Sequence, residues 1–148
     1  MAEARLADGG AAEAFGGMVT ALGGPADLMA RPGAYLRQAP VFRPCVAEQA
    51  GVIASIETRQ VGIAVINLGG GRRRVSDPID PAVGFTEVRG VGEAVAKGEP
   101  LAIVHAAGES EAAAAIAALR GAIRIADTAP PRRPVVGARI DATSKAAV

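Results

Sequence analysis

The sequence predicts an α+β domain built on a small β sandwich or barrel, with one helix inserted mid-domain and another near its end. Three observations predict it. Short apolar runs recur between residues 42 and 105, each bounded by Gly or Pro, as short strands joined by tight turns require. Two other stretches, 59–68 and 109–127, repeat their apolar positions every three or four residues, the period of a helix. Half of the 148 residues are apolar but only 3% are aromatic, so Leu, Ile, Val and Ala must fill thin layers with close backbone approach. A chain of this length suits one domain, or one domain with a fragment of a neighbour.

The elements follow in order. In residues 11–22, Ala14, Phe15, Met18, Val19 and Leu22 recur at helical spacing, and Gly23-Gly24-Pro25 ends the pattern. A helical turn is expected near 26–30, and the prolines that follow make 31–41 a connector. Strands are predicted at 42–48 and 51–57, split by Gln49-Ala50; in the second, Val52 and Ala54 share one face and Ile53 and Ser55 the other. Thr58 is placed as the N-cap of the helix over 59–68. Val61, Ala64, Val65 and Leu68 form its apolar face and Gly69 its stop.

An irregular acidic stretch, Ser76 to Asp80, comes next, with Pro78 and Pro81. Strand pieces are expected at 83–88, 94–95 and 100–105, punctuated by Gly84, Gly90, Gly92 and Gly98. The last helix, 109–127, has Ile116, Leu119, Ile123 and Ala126 as its buried stripe. Glu109 and Glu111 lie in its first turn, where the helix dipole favours carboxylates. Pro130-Pro131 closes it, 135–140 reads as a final strand and 141–148 as a loose tail.

Charge and cysteine content narrow the function classes. Sixteen basic and fifteen acidic residues leave a net charge of +1, no general field for nucleic acid or an anionic membrane. The single Cys45 excludes an internal disulfide and a multi-cysteine metal site. No run approaches the roughly 18 apolar residues of a membrane span, and no apolar stretch of signal-peptide type follows Met1. A cytoplasmic protein without cofactor or metal is expected.

The most distinctive segment is Leu68-Gly69-Gly70-Gly71-Arg72-Arg73-Arg74. Glycines permit positive φ and close approach, and they lead straight into three guanidinium groups. Three readings stand for it: a mobile loop that docks on a neighbouring domain, a helix stop followed by a solvated Arg run, or a direct anion site. A P-loop is not among them, since no Lys-Ser/Thr follows the glycines. Ser76, Asp77 and His105 have the residue types of a hydrolytic triad, but there is no Gly-x-Ser-x-Gly elbow, and His105 closes an apolar strand. Asp77 and Asp80 read as turn formers beside proline, and Cys45 as a packed thiol. The turn Val95-Ala96-Lys97-Gly98-Glu99-Pro100-Leu101 resembles lipoyl and biotinyl carrier domains. Lys97 has neither the flanks nor the hairpin of their modified Lys, so the likeness is architectural. A free-standing binding module of that type is the alternative reading.

Several separated motifs resemble one family in sequence and order. Ala11-Ala12-Glu13-Ala14-Phe15-Gly16-Gly17-Met18-Val19 and Gly24-Pro25-Ala26-Asp27 resemble the helix and turn that precede the C-terminal domain of thymidine phosphorylases. Thr58 to Val65 with the Gly69–Arg73 loop is similar to that domain's helix and glycine loop. Ser76-Asp77-Pro78-Ile79-Asp80, Val83-Gly84-Phe85 and Pro100 to Ala106 continue the likeness, which covers about residues 8 to 140. The Gly-Gly-Gly-Arg-Arg and Ser-Asp-x-Ile-Asp details are closer to thymidine phosphorylase than to the broader pyrimidine-nucleoside phosphorylases.

The resemblance implies a half-barrel sandwich of barrel-sandwich-hybrid, α/β-hammerhead-like type over 42–140, preceded in 1–30 by the tail end of an α/β domain. It implies a pentosyltransferase that converts thymidine and phosphate to thymine and 2-deoxyribose 1-phosphate. Phosphate is then the co-substrate, and nucleoside and phosphate are bound by upstream α and α/β domains without counterpart in this chain. No catalytic residue is therefore assigned. Gly69, Gly70, Gly71, Arg72 and Arg73 are expected to serve closure of the domains over substrate. The family's full-length enzyme is a homodimer with its contacts mostly in the α domain, and a monomer is expected for this piece.

Overall fold

A computed structural model of the chain describes residues 2–131; the strand expected at 135–140 and the tail at 141–148 lie outside the described residues. The fold is α+β. Among the described residues two three-stranded antiparallel sheets carry it, ordered β1-β5-β3 and β4-β2-β6, and they do not join into a closed barrel. The strands are β1 (Val41–Val46), β2 (Gly51–Ile56), β3 (Gly84–Thr86), β4 (Ala94–Val95), β5 (Pro100–Ala106) and β6 (Ile123–Ala126). Helices α1 (Ala2–Ala7) and α2 (Gly10–Ala21) precede them, α3 (Thr58–Val65) follows β2, and α4 (Glu109–Ala122) follows β5.

β5 is the centre of the first sheet because its sequence buries nearly all of itself: Leu101, Ala102, Val104 and Ala106 are almost completely covered. α4 packs on α3, β1 and β5, and its Ala112, Ala115, Leu119 and Ala122 are buried. Ile53 of β2, Val95 of β4 and Ile123 of β6 join the same core. Burying a side chain such as Leu119 or Ile53 contributes about 1.5–3 kcal/mol.

Three expected boundaries move, and one expected alternation is broken. The last helix ends at Ala122, not 127, and Ile123–Ala126 becomes a strand on β2, with Val52 opposite Ala126 and Ile56 opposite Ile123. Ile123 and Ile125 are β-branched and alternate, which suits a pleated edge better than a helix face. The strand expected at 83–88 shortens to Gly84–Thr86, because Glu87 takes a left-handed φ of 53° that ends the ladder. Thr58 is the first helical residue rather than the cap; the carbonyl of Glu57 accepts from the Gln60 and Val61 amides at 2.9 and 3.1 Å. In β2 the two-faced alternation breaks at a bulge between Ile53 and Ser55.

The N-terminal arm is helical where its period predicts, with the six-residue α1 added in front, yet none of its helical residues is buried. Phe15 and Met18 are about half exposed, and Leu22 is 81% exposed. Its final turn is pinned by polar contacts: Asp27 accepts from the Tyr35 hydroxyl at 2.5 Å and from Arg31 Nε at 2.7 Å. The Tyr35 hydrogen bond, then that of Arg31, holds the Asp27 carboxyl below the usual carboxylate range.

Candidate functional site

α3 ends in a wide π-helical turn, Ile66–Gly70, whose Gly69 has φ +97°. That left-handed backbone is what selects glycine there. Gly70 and Gly71 have a different reason. A Cβ on Gly70 would stand 2.9 Å from Val65 Cγ1, and one on Gly71 would stand 2.7 Å from Ile66 Cγ1. The triplet therefore stops the helix and folds the chain tightly back against its last turn.

The arginines that follow are carried on a hydrogen-bonded loop. Asp77 Oδ2 accepts from the backbone amides of Arg73 and Arg74 at 3.0 and 2.8 Å, and the Asp77 amide donates to the Arg74 carbonyl at 3.1 Å. The Asp80 amide donates to the Gly69 carbonyl at 2.9 Å, and Asp80 Oδ1 accepts from the Ala82 amide at 3.0 Å. Arg37 stands 3.8 Å from Asp80. Arg73 Nη2 donates to Asn67 Oδ1 at 2.5 Å. Arg72 and Arg74 make no side-chain hydrogen bond or ion pair among the described residues, and Val75 beside them is 93% exposed. A shallow groove of about 190 Å³ opens between α3 and α4 next to Asn67, bordered by Ala64, Leu68, Ser110 and Glu111.

The other candidates are not drawn into one place. His105 Nε2 and Thr86 Oγ1 are hydrogen-bonded at 2.7 Å, and the Phe42 ring meets the imidazole edge-on at 4.9 Å. No hydrogen bond links His105 with Ser76 among the described residues, and the Asp77 carboxylate is engaged by the loop amides. Cys45 is fully buried, its thiol 3.8 Å from the Ile116 carbonyl; burial pushes its pKa up. Lys97 is exposed in the turn between β4 and β5, where the Gly98 amide donates to the Ala47 carbonyl at 2.8 Å. Among the described residues no three His, Cys, Asp or Glu side chains are grouped to hold a metal ion, and no helix is long and apolar enough to cross a membrane.

Sequence reading did not find Asn67 as the partner of Arg73, nor the cap made by Asp77. The one available signal was an Asp four residues after Arg73, the spacing of a side chain returning to a nearby amide.

Residues 52–126, which hold α3, α4, this loop and the strands other than β1 and the first residue of β2, match the family model of the pyrimidine nucleoside phosphorylase C-terminal domain. The chain belongs to that family. The chain is similar, with 49% identity over 142 residues, to a thymidine phosphorylase of Rhizobium meliloti, a match covering 96% of this chain and 32% of the relative. It is 47% identical over 140 residues to one of Sinorhizobium medicae, covering 95% and 32%. A relative from Agrobacterium fabrum is 45% identical over 130 residues, covering 88% and 30%. The chain thus spans about a third of the length of the curated relatives it matches.

Proposed function

We propose that this chain is the C-terminal domain of a thymidine phosphorylase, a cytoplasmic pentosyltransferase that converts thymidine and phosphate to thymine and 2-deoxyribose 1-phosphate. In this reading the domain is not catalytic alone. Nucleoside and phosphate bind in preceding α and α/β domains, and the Gly69–Arg73 loop serves closure over them. The observation that carries it is 49% identity, along nearly the whole chain, to a thymidine phosphorylase about three times as long. The uncovered apolar side of α2 supports placing residues 1–30 with the preceding domain and 42–140 with this one. One shared core between the two sheets supports reading them as a half-barrel sandwich.

Thymine release from thymidine and phosphate tests the proposal. The purified 148-residue chain should release none. A chimera joining the preceding two thirds of the Rhizobium meliloti relative to this chain should turn over. Turnover by the chain alone, or an inactive chimera that folds, would reject it.

A further inference from the structure

The loop does not offer its three arginines alike, and the difference assigns them roles. We propose that Arg73 is a positioning residue, latched by Asn67, that sets Arg72 and Arg74 with Val75 against a carboxylate-bearing surface of the preceding part of the enzyme. This rests on the phosphorylase reading above. Arg73 is engaged within the chain: its guanidinium donates to the exposed Asn67 at 2.5 Å while its amide is held by Asp77. Both loop carboxylates are spent as well, Asp77 on the Arg73 and Arg74 amides and Asp80 on the Ala82 amide and Arg37. Among the described residues neither forms an ion pair with Arg72 or Arg74, and both arginines lie exposed on the loop.

Guanidinium groups prefer a carboxylate or phosphate, which they grip with paired N–H donors. Val75 decides between those two. It follows Arg74 directly and is 93% exposed. An inorganic anion gains nothing from an apolar neighbour, whereas a protein surface covers the Val and pairs the arginines together. The occupant is named by length: the matched relatives extend to about three times this chain, which answers to their C-terminal domain, so most of their residues precede it. The anchored backbone matters here. A tip held by hydrogen bonds from Asp77 and Asp80 meets a partner without first being ordered, as preorganised closing elements do.

Two measurements test this. In the 148-residue chain, amide hydrogen exchange at Arg73, Arg74 and Asp80 should be slow. Asn67→Ala, Arg73→Ala and Asp77→Ala should each speed it about tenfold or more, Asp77→Asn should keep much of the protection, and Arg72→Ala and Arg74→Ala should leave it unchanged. Fast exchange in the parent chain, or no response to Asn67→Ala, overturns the latch whatever the enzyme does. In the active chimera, Arg72→Ala with Arg74→Ala should lower kcat about tenfold while the phosphate KM stays within about twofold. Asn67→Ala should lower kcat in the same pattern but less. A phosphate KM raised about tenfold at unchanged kcat would make the arginines a phosphate site, and unchanged kinetics would remove any contact; either outcome overturns the assignment. An inactive parent chimera rejects the phosphorylase reading and the contact with it, and leaves the exchange result to decide the latch.

Discussion

Arg43 on β1 grips Glu109, the first residue of α4, with two guanidinium nitrogens: Nε donates to Oε2 at 3.1 Å and Nη2 to Oε1. The pair joins the first sheet to the start of the helix that covers it, across 66 residues of sequence. Both side chains are half exposed or more, so water competes for each charge. A double-mutant cycle with Arg43→Ala and Glu109→Ala, read by urea unfolding, should give a coupling of about 0.2–1 kcal/mol. A coupling above about 2 kcal/mol would mean that the pair, rather than the alanine contacts beneath it, seats α4.

Two glycines of the same helical segment should respond in opposite directions. Gly62 lies inside α3 with open space where a Cβ would stand. Gly62→Ala should therefore stabilise the chain by about 0.5–1 kcal/mol, through the unfolded chain's lost freedom. Gly69 also has room but holds φ +97°, so Gly69→Ala should cost about 1–3 kcal/mol in strain. Urea midpoints moving the same way for both variants would contradict the geometry of the turn.

The contrast shows what the sequence made legible. Val61 and Leu68 repeat at helical spacing and do pack with the core, and Ala64 between them is buried, whereas Val65, expected on the same face, is only partly covered and stands outside that core; the glycine after them does stop the helix. β5 was equally readable, as a continuous apolar run between a glycine turn and a charged helix start. The helix over-extended to 127 fails for a reason visible only in three dimensions. Ile116, Leu119, Ile123 and Ala126 fit a helical period, but Ile123 and Ile125 also alternate, and β2 offers an edge that takes them. In α2 the period identified the apolar side without saying what covers it. The Asn67–Arg73 contact crosses an irregular backbone, where no period relates the two positions.

Acid should loosen the turn between β3 and β4. Glu93 Oε1 accepts from the Gly90 amide at 2.7 Å and Oε2 from Arg89 at 3.3 Å. The Gly90 amide first, and Arg89 second, lower the Glu93 pKa. A carboxylate with a lowered folded pKa contributes stability above its unfolded value, near 4.3, and loses it as pH falls through the folded value. Glu93→Gln should flatten the acid limb of a Tm-against-pH curve and leave the neutral plateau's slope unchanged. An acid limb identical in both proteins would show that the turn does not depend on this charge.

Cys45 should report unfolding rather than chemistry. Its side chain is fully covered, the thiol faces the Ile116 carbonyl of α4, and burial is the main cause raising its pKa, with Arg120 acting the other way. The reactive form is the thiolate, so the folded protein presents neither access nor charge at ordinary pH. The sign of the linkage follows: the fold prefers the neutral thiol, so this group's stabilisation is present below the unfolded thiol's pKa of about 8.5 and fades as pH rises beyond it. Labelling with an aromatic disulfide at neutral pH should be negligible in buffer, then rise in urea along the same transition as circular dichroism. Rapid labelling in buffer would place Cys45 at the surface and contradict the seating of α4 on β1. Leu119→Ala, which opens the core under the same helix at a cost of about 2–5 kcal/mol, should bring the labelling transition to lower urea by the amount the circular dichroism midpoint moves.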